Sequence, residues 1–346
     1  MSALKPREPG VYFNLPAEDY HADPSLGSTD IKHLRRSVAD YWWRSWMNPL
    51  QEESKDTDAT LFGSALHKLV LEGREAFEEA YAVRPDKEDF EGLLDTAADL
   101  RAFLKDSGQI VSGTKPELIE RARTVENHPP IWELLMEEFE AEAEGKIILA
   151  QRVYHEVLVG AQMVVKNPSL RKSFVGGIPE VSIFWVEGDV PCKARIDYLK
   201  PRAVVDLKSF SNSMGKPFDR AALHSIWNYG YHISCAHYLR GRAHFARFVR
   251  DGQVFGAADP DTIARIAAAK EWTFLFVFYA SDGAPASKGY QMNIGTSAHE
   301  IAEAEIDHAL MTYREALEKW GTDQWVIDEP IHKIDNEEVP LWLGMK

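Results

Sequence analysis

The chain has 346 residues, 45% of them apolar and 27% charged, with a formal net charge of −15. That is room for one large domain or two smaller ones with a buried core, in an ordinary globular composition. The acidity argues against a protein that coats nucleic acid through a uniformly basic surface, and no window approaches the ~20 apolar residues that span a bilayer.

The opening MSALKPREPG lacks the apolar run of a secretory signal. Pro6, Pro9, Gly10, Pro16, Pro24 and Gly27 make the first ~25 residues turn-rich. Ser28, Thr29 and Asp30 then cap a helix whose periodicity runs through DYWWRSWM to Pro49. QEESKDTDAT reads as a loop and LFGSALHKLVLEG as a largely buried helix ending at Gly73. Residues 90–137 are helical in composition with a break at SGTKPE, and a further helix over 150–170 is interrupted at Asn167-Pro168. The period then changes. EVSIFWVEG, VPCKARIDYL and AVVDLKSF are strand-length runs separated by GD and KPR, which predicts an antiparallel meander. Helix is predicted over 218–250, then the apolar strand WTFLFVFYA with KGYQMNI as its partner, then the amphipathic helix SAHEIAEAEIDHALMTYREALEKWG. Helices on both sides of a central mixed sheet predict an α/β (α+β) core. It is read as a single domain over 1–346, with a lead-in and helix over 1–60, the core over 61–300 and an irregular tail over 321–346. Cys192 and Cys235 form neither a metal-type spacing nor a disulfide framework, so a reducing cytoplasm is the expected setting.

AVVDLKSF contains an internal conflict. Asp206 and Lys208 share one face of an otherwise apolar strand, and burying an acid and a base costs several kcal/mol unless something compensates. Taken alone, such a D-x-K is more often a surface ion pair. Asp197, however, lies on the preceding strand across the KPR turn, where it can approach Asp206. Two close carboxylates raise each other's pKa unless a cation lies between them, and Mg²⁺ takes oxygen ligands readily. Glu180, heading the first strand of the meander, offers a further carboxylate. His67 lies on the LFGSALHKLVLEG helix, one turn after Gly63. It reads either as a core histidine or as a metal ligand, and imidazole suits Mn²⁺ better than Mg²⁺. In YLRGRAHFARFVR, Arg240, His244 and Arg247 recur at i, i+4 and i+7 and Arg250 follows one turn later. That stripe fits phosphate contacts or a solvated helix face. The aromatic run YWWRSWMNP reads as core in preference to a base-stacking surface. There is no G-x-S-x-G, H-E-x-x-H or P-loop pattern.

In chain order, GSALH, E…VPCKARIDYL…AVVDLKS and YHISCAHY resemble the PD-(D/E)xK nuclease superfamily, in the branch of the RecB nuclease and the phage-type exonuclease VIII, RecE. The stretch GVYFNLPAEDYHADPSLGSTDIKHLRRSVADYWW is similar to the RecE-type lead-in, so the resemblance runs from about residue 10 to about residue 300. It implies a restriction-endonuclease-like core in which His67, Asp197, Asp206 and the Leu207 carbonyl ligate Mg²⁺, with Mn²⁺ as the alternative. Lys208 would orient and activate the water, and Glu180 matches the acid that often begins the first core strand. Tyr238 matches the tyrosine of a Q-x-x-x-Y helix in which Ser234 here replaces the glutamine. The implied activity is metal-dependent exonuclease digestion of linear double-stranded DNA from 5′ to 3′, leaving 3′ single strands for annealing and recombination. A phage or prophage setting, a toroidal homo-oligomer and a single-strand annealing partner come with that implication. The rivals are a RecB-like nuclease of opposite polarity or structure-specific action, and a non-catalytic DNA-binding protein on the same fold. The chain lacks the four-cysteine pattern of the iron–sulfur relatives.

Overall fold

In the computed structural model the turn-rich start of the chain forms a short strand, β1 (Gly10–Tyr12), and a six-residue helix, α1 (Ala17–Ala22). The structure describes residues 5–51, 57–212, 215–281, 284–334 and 336–338. The single helix expected after Gly27 is two, α2 (Ser28–Arg36) and α3 (Val38–Arg44). Ser37 divides them: its backbone is extended and its Oγ accepts the Asp40 N–H, so it caps the second helix. Thr57 caps α4 (Asp58–Leu71), and α5 (Arg74–Ala80) follows Gly73. Between β2 (Tyr81–Val83) and its parallel partner β3 (Ile147–Leu149) lie α6 (Ala97–Asp106), α7 (Lys115–Arg123) and α8 (Trp132–Glu142). These helices bury a small core of their own around Leu100, Leu104, Leu118 and Ile131. Helix α9 (Gln151–Lys166) then leads into the meander of β4 (Ile178–Glu187), β5 (Val190–Lys200) and β6 (Ala203–Phe210).

From β6 the chain crosses over through α10 (Phe218–Asn228), α11 (Tyr231–Arg250), the short β7 (Val254–Phe255) and α12 (Pro260–Ala268). It returns as β8 (Thr273–Ala280), parallel to β6, and β9 (Ala286–Met292) closes that edge antiparallel. Helix α13 (Ser297–Trp320) ends the fold. Among the described residues seven strands form one mixed sheet in the order β7-β1-β4-β5-β6-β8-β9.

One face of the sheet packs against α2, α3, α11 and α13, where Ile183, Ile196, Val204 and Phe276 meet Ile31, Ile233, Leu239 and Ile306. The other face meets α4 and α9 through Val205, Leu207 and Val277 against Phe62, Leu66 and Val157. Helices α4 and α9 approach closely: a methyl group at Gly160 would come within 3.0 Å of Leu66 Cδ1. Farther along that face the lead-in covers the sheet, with Leu15 and Tyr20 on Phe184. The functional cleft lies between these two covers. Residues 339–346 of the expected tail lie outside the described ones. Over 322–334 the tail is irregular yet anchored: Trp325 is buried against Tyr41 and Tyr313, and Trp42 Nε1–H donates to the Thr322 carbonyl. Tyr41 and Trp42 are thus core residues, while Trp43 is exposed. Both cysteines are free and buried, and no described helix is long and apolar enough to cross a membrane.

His237 is buried against Trp185, and its Nε2–H donates to the Lys193 carbonyl at 3.0 Å. Burial pulls its pKa down to about 4. The unfolded chain therefore binds the proton that the folded chain refuses, so this stability is present above pH ~6.5 and is lost as pH falls toward 4. From about pH 7 to pH 5 the loss is about 2 kcal/mol. His237→Gln keeps a donor and cannot titrate, so its stability should fall less over that interval. Urea unfolding of both proteins at the two pH values measures the difference.

Candidate functional site

The ladder between β5 and β6 ends at Tyr198↔Val205, although β6 stays paired with β8 as far as Phe210. Beyond that rung the two strands part, and the groups of Leu207 that face β5 are released. Its N–H donates to Asp197 Oδ2 at 2.8 Å, and its carbonyl accepts from His67 Nε2 at 2.8 Å. Helix α4 is held against the split by that second bond. A methyl group at Gly63 would meet only Ser209 Oγ, at 3.9 Å, so this glycine opens onto the cleft and serves no tight helix contact.

Glu180 stands opposite Asp197, between the pairs Pro179↔Tyr198 and Val181↔Ile196. Its φ is +50°, a left-handed conformation that costs a non-glycine residue about 1 kcal/mol or more. The alternation of buried side chains slips at this rung. Val181, Ile183 and Trp185 of β4 share a core with Ile178, and Cys192, Ala194 and Ile196 of β5 share it with Leu199. Both strands change face across Glu180 and Asp197, and the two carboxylates are left at the step. Donor atoms of His67, Glu180 and Asp197 lie within 4.8 Å of one another.

Asp206 and Lys208 reach the same point from the α11 side. Lys208 Nζ lies 2.7 Å from Asp206 Oδ1 and 4.0 Å from Asp197 Oδ2. Asp206 is wholly buried, and its Oδ2 has no hydrogen-bond partner among the described residues. Burial raises the pKa of all three acids, to about 6 for Asp206 and about 7 for Glu180. Burial would lower Lys208, but Asp206 and Asp197 outweigh it and hold the ammonium protonated. Burial, then Lys208, pulls His67 down to about 4, which leaves it neutral. A neutral imidazole and several strained carboxylates form a donor set short of positive charge, and a hard divalent cation relieves that shortage.

Arg195 occupies the same face of β5 as Asp197. Its Nε pairs with Glu180, and its Nη1 donates to the Leu15 carbonyl at 2.8 Å. Lys193, two residues earlier, is buried and donates to the carbonyls of Tyr20 and Asp23 at 2.9 and 2.6 Å. The lead-in is thereby fastened as the far wall of a cavity of about 1460 Å³, lined by Tyr20, Asp30, His67, Glu180, Asp197 and Tyr238 among others. Tyr238 faces the acids and Lys208, and its hydroxyl bonds Ser28. Ser234 Oγ donates to Ser28 Oγ at 3.3 Å, so the serine in the glutamine position reaches Tyr238 through α2.

Of the expected arginine stripe, Arg240 turns toward α13, while Arg247 and Arg250 stay exposed on α11. Arg240 is bound to Glu303 and Asp307 of α13, Arg247 bonds His244 and covers the Phe248 ring, and Arg250 pairs with Asp251. None of the three lines the cavity. The Arg240 charge is taken up by packing against α13, which the pattern of one helix does not reveal, whereas Arg247 and Arg250 make only local contacts at the surface. Arg242 is buried, stacking on Trp272 with the guanidinium carbon 4.3 Å from the ring. Of the expected cation ligands, His67 and Asp197 converge with Glu180, and Asp206 adjoins them with its Oδ1 bonded to Lys208. Lys193 and Arg195 were legible in principle, since KARID puts both on the Asp197 face by strand period.

A split antiparallel strand pair carrying Asp197 and Asp206-x-Lys208, flanked by an acid on the next strand and a histidine-bearing helix, defines a member of the PD-(D/E)xK nuclease superfamily. The model of the PDDEXK-like domain of unknown function DUF3799 matches residues 28–250, more than half of the chain, and the protein belongs to that family. Among solved structures, it is similar to the crystal structure of a "putative exonuclease" from Eubacterium rectale. The TM-score is 0.46 at 14% identity, over 92% of this chain and 97% of that one. No curated protein matches the chain.

Proposed function

We propose that the chain is a divalent-metal-dependent exodeoxyribonuclease acting on the ends of linear duplex DNA. The observation that carries this reading is the convergence of His67, Glu180 and Asp197 beside the buried Asp206–Lys208 pair. His67, Glu180 and Asp197 would hold the cation, with Asp206 and the Leu207 carbonyl adjoining, and Asp206 Oδ2, which has no hydrogen-bond partner among the described residues, fits a cation nearby. Mg²⁺ suits the oxygens and Mn²⁺ suits the imidazole as well. When bound, the cation neutralises charge on the phosphate and makes water a better nucleophile at neutral pH. Lys208 keeps its proton and presents it to an oxygen of the water or the phosphate, stabilising charge as it develops. Arg195 holds Glu180 toward the cluster.

Digestion from 5′ to 3′, a ring-shaped homo-oligomer, a single-strand annealing partner and a recombination role rest on the resemblance of the lead-in to that of RecE. Linear duplex labelled at either the 5′ or the 3′ end, and circular duplex, incubated with Mg²⁺ or Mn²⁺, test the reading. The expected result is early release of the 5′ label, late release of the 3′ label, no change to the circle, and arrest by chelator. Intact DNA in both metals overturns the nuclease reading, and cutting of the circle replaces it with endonuclease action.

A further inference from the structure

Beyond Lys208 lies a second lysine that no part of this site yet uses. Lys32 of α2 is half-buried, with its Nζ 5.3 Å from the centre of the Tyr231 ring, and Lys208 Nζ lies 5.7 Å from the same ring. The stem of Lys32 lies across the turn between α10 and α11. Gly230 there has φ +62°, and a methyl group on it would come within 3.3 Å of Lys32 Cγ. Other cations around the cleft are committed: Arg44 to Asp40, Lys68 to Glu72, Lys193 to backbone carbonyls, Arg195 to Glu180, and Lys208 to Asp206. Among the described residues no carboxylate lies within ion-pair distance of Lys32. Asp206 acts on it only at longer range, and its Oδ1 already binds Lys208. Burial and the like charge of Lys208 pull Lys32 down to about 8.

A lysine left to itself swings its ammonium into water. The Tyr231 face attracts this one and holds it in place, but it is half-buried beside another cation, and that burial and repulsion cost free energy until an anion arrives. The cavity reaches as far as Asp197 and Tyr238, both of which adjoin Lys208, and Tyr231 and Lys32 continue from Lys208. A DNA strand seated in the cavity has to run on past the cut bond.

We propose that Lys32, steadied by Tyr231, grips a backbone phosphate of the DNA strand next to the one cut beside Lys208. The proposal rests on the nuclease reading and adds to it a substrate contact supplied by α2. Tyr231 acts through Lys32 and is a positioning residue.

The test is binding of a fluorescein-labelled linear duplex in Ca²⁺ across a salt series, with hydrolysis followed separately in Mg²⁺. One phosphate contact contributes about 0.9 to the slope of log affinity against log salt on duplex, about 0.7 on single strand. Lys32→Met should flatten the slope by about that amount and raise KM several-fold with a smaller change in kcat. Lys32→Arg should retain the slope, and Lys270→Met, an exposed control, should match wild type. Thermal melting shows whether each variant is folded. If Lys32→Met keeps the wild-type slope and KM while wild type cuts DNA, this proposal fails and the nuclease reading stands. If wild type neither binds nor cuts DNA, both fail.

Discussion

Lys208→Met should slow metal-dependent DNA hydrolysis by about 10²- to 10³-fold, the scale set by loss of one preorganised charge in a partly dry site. The ammonium lies 2.7 Å from Asp206 and 4.0 Å from Asp197, where charge on a bound phosphate would be neutralised. Its removal strands Asp206, which is wholly buried. Breaking a buried pair ordinarily costs about 3–5 kcal/mol, but this carboxyl already titrates near 6 with the lysine present and can take up a proton instead. The variant should therefore fold, with a lowered melting temperature. Affinity for Mn²⁺ should hold or rise, because a like charge has left the donor cluster. Single-turnover hydrolysis and Mn²⁺ titration by electron paramagnetic resonance separate the two effects. A catalytic lysine loses rate and keeps metal, whereas a purely structural one loses both or neither. A fall in rate below about tenfold would remove Lys208 from the chemistry.

The residues of the site were legible wherever one strand or one turn sufficed to place them. Period 2 put Asp206 and Lys208 on one face, and the KPR turn brought Asp197 to the adjoining strand. Helix α4 and the β8–β9 pair likewise follow from local pattern. The face change at Glu180 was not legible. A left-handed glutamate carries no glycine or proline to announce it, and the slip appears only when both strands are compared. That slip brings Glu180 beside His67 and Asp197. The pairing of Arg240 was not legible for a related reason: the acids that bind it lie 63 and 67 residues away on α13, beyond the reach of helix periodicity. The break at Ser37 was not legible either, because its bond to Asp40 and its extended backbone, which end α2 before it, leave no mark in the helical pattern. The role of the lead-in depends on Lys193, whose position in an alternating strand said which face it takes but not what it would find there.

Lys193→Met tests that role, and its expected effect is on stability. The ammonium donates to the carbonyls of Tyr20 and Asp23 and more weakly to that of His21, and it lies 4.9 Å from the centre of the Tyr20 ring. A six-residue helix such as α1 does not stand alone in water. Methionine fills the same space and donates nothing, which leaves buried carbonyls unsatisfied at about 1–3 kcal/mol each. Partial access of water reduces the sum, and about 3 kcal/mol is the expected fall in unfolding free energy. Hydrogen exchange should rise across Leu15–Leu26 before it rises in the sheet. The cleft then loses the wall formed by Tyr20, so KM for DNA should rise more than kcat falls, with His67, Glu180 and Asp197 still in place to bind Mn²⁺. Unchanged unfolding, exchange and KM would mean that Leu15 and Tyr20 packing on Phe184 holds the lead-in without the lysine. In that case Arg195, through the Leu15 carbonyl, becomes the residue that ties this wall to the acids.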